Sequence, residues 1–504
     1  MVNPQRSIAR ALPFINAMPW LRKLLAPLLA LSLVTGFGCS ATQPAESATS
    51  PNTKPNVLFI VLDDANDWIE PFGGHPDART PNFRRLAERS TLFEAAYADA
   101  PACNPSRTAV LTGRAPHSSG VYYNGQPFRA ALPRTRTLPQ AFQRAGYQLY
   151  GAGKVYHGAR EERQAWDLWF RPRVGKRPQP AQLPAHGIEG LAEHVDWGTM
   201  VSGRGRDPAL TGWAARQLRQ GALEEPFFLA IGLHRPHMPW YLPQKHWDLF
   251  PADEIQLPND DPEDLEDLPA AAQRSTERDV YEAIDAAQRQ PQAVSAYLAA
   301  LHYADEHLGT LLDGLDDSSY GERTIIVLWS DHGFHLGEKR RFGKYSLWRE
   351  ATRVPLLLAG PGLPSGRRVQ QPVQLTDLYP TLTELCGIEA PKRLDGRSLL
   401  PLLRDPGEEP VRRRPALSTH GPGHHSLHWR HWSYIRYADG SEELYDLRRD
   451  EAQLRNLAAQ PTEAVEEVLH RLRSNLPAKV APPSPTYEEV GFEPRELRPG
   501  IQPE

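Results

Sequence analysis

The sequence is poor in cysteine, has almost no excess of either charge, and lacks a hydrophobic run long enough to cross a bilayer. Three cysteines in 504 residues are too few for a framework of disulfides. The 57 Lys and Arg residues against 61 Asp and Glu residues give a net charge of −4, which argues against a nucleic-acid-binding protein. The longest apolar run, residues 24–37, is shorter than the roughly 20 residues of a spanning helix. What remains is a globular chain whose length allows about three domains, or fewer if one is a large α/β unit.

The amino-terminal segment has the order of a secretory signal. Basic residues precede the apolar run and small residues follow it, so we expect residues 1–38 to be removed on export. Residues 39–54 are rich in Ser, Thr, Ala and Pro, which predicts a flexible tether. Cys39 resembles the lipidated cysteine of bacterial lipoproteins, although Gly36 stands where that pattern usually has leucine. The expected location is therefore periplasmic, as a free or membrane-anchored lipoprotein, or secreted.

Four continuous apolar runs predict buried strands at residues 57–62, 227–233, 324–329 and 354–359. Leucines spaced by three and four predict a long helix over residues 294–315. Strands that alternate with helices indicate an α/β layered sheet, in which ligands bind beyond the carboxyl ends of the strands. We therefore expect the polar residues that follow these strands to converge on one crevice. They are Asp63, Asp64, His234, His237, Asp331 and His332.

The pattern of apolar and polar residues changes after residue 400. Short strand patterns flank an Asp439-Gly440 turn, and a helical pattern follows over residues 462–476. We therefore predict a main domain at 55–404, a smaller C-terminal α+β subdomain at 405–477 and a Pro-rich tail at 478–504.

Residues 103–114 carry the most specific motif, Cys-Asn-Pro-Ser-Arg-Thr-Ala-Val-Leu-Thr-Gly-Arg. The motif resembles the signature of type I sulfatases, and the resemblance extends from about residue 55 to residue 458. It implies an alkaline-phosphatase-like sandwich with a large, mostly parallel central sheet. In that family a formylglycine-generating enzyme oxidises the cysteine, here Cys103, to formylglycine. The aldehyde hydrate is the nucleophile and forms a covalent sulfate ester that is later released.

This chemistry needs positive charge, because a sulfate ester is an anion that repels an attacking anion. Arg107 lies one helical turn beyond Cys103, so it can hydrogen-bond the hydrate, and a helix that begins at Cys103 would add favourable amide dipoles. A cysteine beside Pro-Ser-Arg can also be a plain structural thiol. Cys386 is most simply a buried apolar residue.

Asp63, Asp64 and Asp331 offer hard oxygen ligands for Ca²⁺, our preferred ion, or for Mg²⁺. The resemblance implies that the formylglycine oxygen at Cys103 and His332 or water complete the set. The imidazole of His332 would also suit zinc, as in related phosphatases. In isolation, an Asp pair at a strand end is more often a capping or turn pair.

Two further motifs resemble the iduronate-2-sulfatase branch of this family. Gly153-Lys154-Val155-Tyr156-His157 matches Gly-Lys-x-x-His, which implies that Lys154 binds sulfate and that His157 supports the hydrate and acts as a base. His234 and His237 lie in a segment similar to His-Lys-Pro-His-x-Pro. By that resemblance His234 contacts sulfate or the leaving oxygen, whereas a structural and a functional role for His237 are equally open.

Lys344 follows Asp331 at the spacing of the same branch and is the candidate to stabilise the leaving alcohol. Lys339 departs from relatives that carry histidine there, which bears on substrate contacts. Arg340 and Arg341 read as a solvated pair. Trp240 is a candidate sugar-binding residue with Lys154, His234, His237 and Lys344. Other candidate pocket residues are His75, Trp348, His420, His424 and His425.

The sequence therefore predicts an exported sulfuric ester hydrolase that acts on a sulfated sugar or polysaccharide fragment. Two alternatives remain open. The first is a phosphate or phosphonate monoester hydrolase of the same superfamily, and the second is an inactive exported sugar-binding protein. The expected partners are the sulfated carbohydrate and, during maturation, the formylglycine-generating enzyme, but no nucleic acid.

Overall fold

The structure, a computed structural model, describes residues 54–158, 162–173, 180–191, 195–201, 205–258, 261, 263–275, 279–404 and 414–490. The predicted signal peptide, Cys39 and all but the last residue of the predicted tether lie outside the described residues. Among the helices within those ranges, none combines the length and the apolar character that crossing a bilayer requires.

The described strands are, in chain order, β1 (Asn56–Asp63), β2 (Thr91–Phe93), β3 (Ala96–Tyr97), β4 (Gln148–Gly153), β5 (Leu168–Phe170), β6 (Trp197–Thr199), β7 (Phe227–Pro236), β8 (Trp240–Leu242), β9 (Thr324–Ser330), β10 (His335–Leu336), β11 (Phe342–Gly343), β12 (Leu356–Ala359), β13 (Arg367–Val369), β14 (Val373–Gln374), β15 (Ala416–Thr419), β16 (His425–Trp429), β17 (Trp432–Arg436) and β18 (Glu442–Asp446).

The described helices are α1 (Pro81–Glu88), α2 (Cys103–Thr112), α3 (Pro116–Ser119), α4 (Phe128–Ala131), α5 (Leu138–Arg144), α6 (Arg206–Arg219), α7 (Gln244–Trp247), α8 (Ala270–Ser275), α9 (Asp279–Ala286), α10 (Gln290–Asp316), α11 (Arg349–Thr352), α12 (Leu378–Leu385), α13 (Leu400–Arg404) and α14 (Glu463–Arg473).

The central sheet has eight strands in the order β13-β2-β12-β9-β1-β7-β4-β5. All neighbouring pairs are parallel except those of β12, which runs antiparallel to both β9 and β2. The fourth apolar run, predicted as a buried strand, is thus the antiparallel member of this sheet. After β9 the chain makes its excursion at the carboxyl edge of the sheet and re-enters from that same edge, so β12 must run in the opposite direction.

Strand β1 shows how the sheet separates two layers of core. Its residues alternate, with Leu58, Ile60 and Leu62 in one hydrophobic cluster and Val57, Phe59 and Val61 in the other. The first cluster includes the apolar faces of α6 and α10, and the second includes those of α2, α5 and α12. Every residue of β1 is buried, as a central strand covered on both faces should be. The predicted α/β sandwich with a mostly parallel sheet is confirmed.

A second, smaller sheet follows at the C-terminal end. Strands β15 to β18 form an antiparallel meander, and α14 packs Leu469 and Leu472 against its apolar face. This confirms the α+β character predicted for the C-terminal region. Beyond it, Ala481, Ser484 and Tyr487 donate backbone N–H groups to carbonyls of residues 117–125, so the first half of the Pro-rich tail lies along the main domain.

Candidate active site

Two neighbouring strands bring acidic residues to the same edge of the sheet. Strand β1 ends at Asp63 and is followed by Asp64, and β9 is followed by Asp331. Leu62 lies opposite Ser330 in the parallel register, which sets the two strand ends side by side. The Asp64 N–H consequently donates to Asp331 Oδ1 at 3.1 Å. The predicted convergence of these acids at the carboxyl ends of the strands is confirmed.

Asp64 has an unusual backbone conformation. Its φ is 66°, in the left-handed region that non-glycine residues rarely adopt without support from their surroundings. The support comes from Tyr297 of α10, whose hydroxyl lies 2.9 Å from the Asp64 carbonyl and accepts the Asn66 N–H at 2.9 Å. A residue on the long helix thus fixes the turn that orients an acidic side chain. The leucine pattern that predicted this helix contained no signal for Tyr297.

Cys103 is the first residue of α2 and is only 1% exposed. Its Sγ lies 3.3 Å from His332 Nε2 and 3.7 Å from Asp63 Oδ1. Two ammonium groups also reach it, since Lys344 Nζ is 3.2 Å and Lys154 Nζ is 3.5 Å away. The position predicted for the nucleophile is therefore in contact with an imidazole, a carboxylate and two cations.

The amide groups that follow Cys103 are directed to the protein itself. The Asn104 N–H donates to Asn124 Oδ1 at 2.9 Å, and the Ser106 N–H donates to the Ala102 carbonyl at 3.1 Å. Pro105, between them, has no N–H to donate. We expected the amide dipoles at the start of this helix to favour the anionic ester. Because these two N–H groups already donate to protein acceptors, only the dipole field of the helix can act on it.

Arg107 is buried and binds the acids rather than the cysteine. Its Nε donates to Asp331 Oδ2 at 2.8 Å, its Nη2 donates to Asp63 Oδ1 at 3.2 Å, and its Nη1 donates to the Lys154 carbonyl. A buried guanidinium needs acceptors for its donors, and these carboxylates supply them. These contacts make Arg107 a residue that fixes two acidic side chains and the Lys154 backbone, and its predicted hydrogen bond to the hydrate stays a prediction.

Lys154 also forms an ion pair with Asp63, with its Nζ 2.5 Å from Asp63 Oδ2. Burial alone would raise the pKa of Asp63, but the surrounding cations, of which Lys154 acts most strongly, hold that pKa well below its usual value. Asp63 is thus an ionised carboxylate at neutral pH, and its charge compensates the cations beside Cys103.

Lys344 reaches the same cluster from the position directly after β11, with its Nζ 3.2 Å from Asp64 Oδ1. Arg341 holds the backbone at this point, since its Nε donates to the Lys344 carbonyl at 2.9 Å. We predicted Arg341 as part of a solvated pair, but it is only 1% exposed. Arg341 is therefore a positioning residue for Lys344, which its place in a run of basic residues did not indicate.

Four side chains could hold a metal ion. One ligand atom from each of Asp63, Asp64, Cys103 and His332 lies within 4.8 Å of all the others, and all four residues are buried. Burial alone would lower the pKa of His332, but Asp331 and the Cys103 sulfur raise it to about 9. The two carboxylates of the cluster carry negative charge that a bound cation would neutralise together with Lys154 and Lys344. Two carboxylates and an imidazole fit a divalent ion.

Asp331 lies beside this group rather than within it. Its Oδ1 is 3.6 Å from His332 Nε2 and also accepts the His332 N–H at 3.0 Å. Because Arg107 occupies its other oxygen, Asp331 is bound on both sides by the protein. Its place as a metal ligand stays a prediction, and its observed contacts orient Arg107, Asp64 and His332.

His157 and His234 are both only partly buried. His157 is half-buried, and burial with the nearby Lys154 holds its pKa well below the usual value, so its ring is neutral at neutral pH. His234 has a side chain that is 32% exposed and lies 3.5 Å from Asp207 Oδ1. Asp207, on α6, also accepts the backbone N–H groups of His234 and Arg235, so it fixes this segment. No sequence motif had indicated Asp207.

His237 contacts the acidic cluster. Its Nε2 lies 3.9 Å from Asp64 Oδ2, while its Nδ1 lies 2.6 Å from the Met238 carbonyl. A carbonyl only accepts, so Nδ1 must carry the proton and Nε2 turns a lone pair toward the cluster when the ring is neutral. Of the two roles left open for His237, this geometry favours the functional one.

Trp240 and Lys339 are corrections. Trp240, predicted to contact substrate, is fully buried, donates its indole N–H to the Pro236 carbonyl, and packs against Tyr297 and Phe334. Lys339, which we linked to substrate contacts, is 2% exposed and forms an ion pair with Asp264. The sequence around Trp240 and Lys339 does not show that the fold buries both side chains.

The other candidate pocket residues divide in the same way. His75 packs on Trp68, Trp348 donates to the buried Glu443, and His425 lies 3.0 Å from Thr419 Oγ1, so all three have structural roles. His424 packs against Tyr437. The His420 ring lies 6.0 Å from that of Tyr345, the neighbour of Lys344.

Two known families match the chain by sequence. The family described as Sulfatase matches residues 55–388, and the family described as N-sulphoglucosamine sulphohydrolase, C-terminal, matches residues 337–481. A sulfatase of Formosa agariphila is 35% identical over 427 residues, covering 79% of this chain and 82% of the relative. Human iduronate 2-sulfatase is 31% identical over 414 residues, covering 73% of this chain and 75% of the relative.

Solved structures agree on the fold. A protein in complex with its substrate D-glucosamine-2-N,6-O-disulfate superposes with a TM-score of 0.68 at 23% identity, covering 84% of this chain and 97% of its own. A phosphonate monoester hydrolase of Agrobacterium radiobacter gives a TM-score of 0.65 at 21% identity, with 84% and 96% coverage. The shared fold therefore does not by itself distinguish the two ester classes.

Proposed function

The chain belongs to the sulfatase family, and from this premise we propose that it removes sulfate from a sulfated sugar or polysaccharide fragment. The observation that carries the proposal is the surroundings of Cys103, whose sulfur lies within 3.7 Å of a carboxylate, an imidazole and two ammonium groups. An arrangement with such a density of positive charge suits an anionic ester and the further charge that develops during its hydrolysis.

The chain's own residues divide the remaining tasks. Lys154 and Lys344 neutralise sulfate oxygens, and Lys344 stabilises the departing alcohol oxygen. His157 is neutral at neutral pH and so can accept a proton from the nucleophile. His234 lies near the end of β7 and His237 directly after it, where they contact the sulfate or the leaving group. Arg107 holds Asp63 and Asp331 in place throughout.

Two groups would be added to this site in the mature enzyme. Formylglycine, formed from Cys103 by a formylglycine-generating enzyme, would supply a hydrate oxygen as the nucleophile in place of the thiol. A divalent cation, Ca²⁺ by preference and Mg²⁺ as the second choice, would be held by Asp63, Asp64, His332 and Asp331 and would neutralise charge beside the nucleophile. Hard oxygen ligands suit both ions.

A sugar substrate is supported by the relatives. One is an iduronate 2-sulfatase, and one structure of similar fold was solved with a glucosamine disulfate. The loop that carries Lys344 and Tyr345, together with His420, offers aromatic and imidazole surfaces beside the cluster that suit the faces and hydroxyl groups of a sugar ring. Export to the periplasm or beyond, where such polymers are encountered, is part of the same proposal.

Kinetics on matched esters test the proposal. The enzyme matured with a formylglycine-generating enzyme should hydrolyse 4-methylumbelliferyl sulfate with a higher kcat/KM than the corresponding phosphate and phenylphosphonate. A preference for either phosphorus ester would contradict it. A panel of uronate 2-sulfates and glucosamine 6-sulfates then tests the sugar class, and activity on none of them would contradict that part alone.

A further inference from the structure

A groove of strongly positive character lies at the far end of α2 from Cys103. It has a volume of about 850 Å³ and is bordered by the segment before α5, by α5 itself and by the loop at residues 391–393. The basic residues that line it are Arg114, Arg134, Arg136, Arg144, Lys392 and Arg393. Among the described residues that line it, none carries a carboxylate.

These cations are largely uncompensated. Arg114 lies 3.3 Å from Asp395, whereas the other five have no ion-pair partner among the described residues. Arg134, Arg144, Lys392 and Arg393 are also exposed to solvent. Because the whole chain has a net charge of −4, this surface has the opposite sign to the protein as a whole. A local excess of this kind attracts anions.

The backbone that presents the groove is fixed from beneath. Arg129 donates to the carbonyls of Leu132 and Thr135, and its guanidinium forms an ion pair with the buried Glu162. The Tyr379 hydroxyl donates to the Arg136 carbonyl at 3.0 Å. The residues between α4 and α5 are thus held in one arrangement before any ligand arrives, which lowers the entropic cost of binding.

The groove is separate from the candidate active site. Cys103 is the first residue of α2, and Arg114 follows Gly113, the residue that caps the other end of the helix. At about 1.5 Å of rise per residue, these positions are roughly 16 Å apart. A ligand in the groove would therefore leave the site around Cys103 open.

We propose that the groove binds a sulfated polysaccharide at a distance from the bond that is cleaved, an inference that rests on the proposed function. The rigid forks of its five arginines match the oxygens of sulfate groups, and two walls of cations match an anion that repeats along a chain. Binding there keeps the polymer near the enzyme and raises the effective concentration of its sulfate esters at Cys103. The groove should affect the hydrolysis of polymers alone, because a sulfated monosaccharide is too short to reach both the groove and Cys103.

The test compares two variants of equal charge change, each made in the full chain with Cys103→Ala so that substrate is not consumed. The groove variant combines Arg134→Ala, Arg144→Ala, Lys392→Ala and Arg393→Ala. The control variant combines Arg289→Ala, Arg449→Ala, Arg455→Ala and Lys479→Ala, four exposed cations outside the groove. Affinity for heparin is measured at about 0.15 M ionic strength, with hyaluronan and duplex DNA as competitors.

The groove variant should lose at least about tenfold in heparin affinity, and the control variant less than about twofold. Neither hyaluronan nor DNA of equal total charge should compete as well as unlabelled heparin. Equal losses in the two variants, or equal competition by DNA, would overturn the proposal. Hydrolysis of 4-methylumbelliferyl sulfate by the same variants carrying Cys103 should match the parent enzyme. Failure of that hydrolysis in the parent would count against the proposed function and not against the groove.

Discussion

The two ends of helix α2 hold positive charge in opposite ways. At its start, Arg107, Lys154 and Lys344 are buried or nearly so, and each lies against an aspartate. At its end, Arg134 and Lys392 stand in solvent with no acidic partner among the described residues. Buried cations must be compensated, which forces the active-site region into one defined geometry. Exposed cations need no such partners, so the groove can attract a polymer without a unique arrangement.

The largest expected effect is on the chemistry at the start of α2. Cys103→Ala should reduce kcat/KM for a sulfate ester by at least about 10³-fold, because it removes the residue from which the nucleophile is formed. Cys386→Ala, which changes the other buried cysteine of the described chain, should keep most of the activity. Circular dichroism and thermal unfolding would check that both variants fold. Comparable losses of activity in the two would contradict the assignment.

The next effect concerns the carboxylates that compensate the buried cations. Asp63→Asn should lower both bound divalent metal and kcat/KM, by about 100-fold or more, because it removes a proposed metal ligand and the partner of Lys154. Asp305→Asn is the matched control, since Asp305 is a buried carboxylate that accepts backbone N–H groups of α1. Metal content by elemental analysis should fall only in the first. Normal metal content in Asp63→Asn would refute its role as a ligand.

A smaller effect should follow from loosening one cation without removing it. Arg341→Ala should lower kcat by about tenfold while KM for a small sulfate ester changes less, because Lys344 loses the donor that holds its carbonyl. Arg353→Ala is the control, since this arginine binds the Glu94 carbonyl outside the cluster. If the two variants had the same kcat, Arg341 would not position Lys344.

The strand-end acids and the nucleophile motif could be read from the sequence because each depends on local order. A buried strand that ends in Asp63-Asp64 must deliver those residues to the carboxyl edge of the sheet. The direction of β12 could not be read in this way, because it depends on where the chain re-enters the sheet. A resemblance supplied most of the roles around Cys103, and the structure then added the contacts by which Arg107 fixes Asp63 and Asp331.

Other features depend on contacts between distant parts of the chain. Trp240 and Arg341 look like surface residues in sequence, and only the packing of neighbouring elements shows that both are buried. The positive groove joins Arg134 to Arg393, which are far apart in sequence, so no local window contains it. A net charge of −4 for the chain also concealed this concentration of cations.

The smallest expected effect is a dependence of stability on pH. Burial raises the pKa of Glu338 to about 8, so the folded protein keeps a proton that the unfolded chain releases above its ordinary pKa of 4.5. Stability from this group should therefore fall as the pH rises from about 4.5 to about 8. Glu338→Gln should flatten that decline, with a difference in Tm of roughly 2 °C between the ends of the range.

Glu442 provides the contrast. Burial alone would raise its pKa, but hydrogen bonds from Arg473 and its neighbours lower the pKa to about 2. Its contribution is present above pH 4.5 and is lost as the pH falls toward 2, so Glu442→Gln should change only the acid limb of the Tm profile. The same pH dependence in both variants would show that these carboxyls do not determine it.

The most direct measurement is the chemical state of residue 103 in enzyme of known activity. Mass spectrometry of the tryptic peptide spanning residues 90–107, combined with labelling by an aldehyde-reactive hydrazide, gives the fraction of chains that carry formylglycine. Across preparations matured to different extents, sulfate-ester turnover should rise in proportion to that fraction and vanish when only the thiol is present. Full activity in a preparation whose peptide retains an unmodified cysteine would contradict the account.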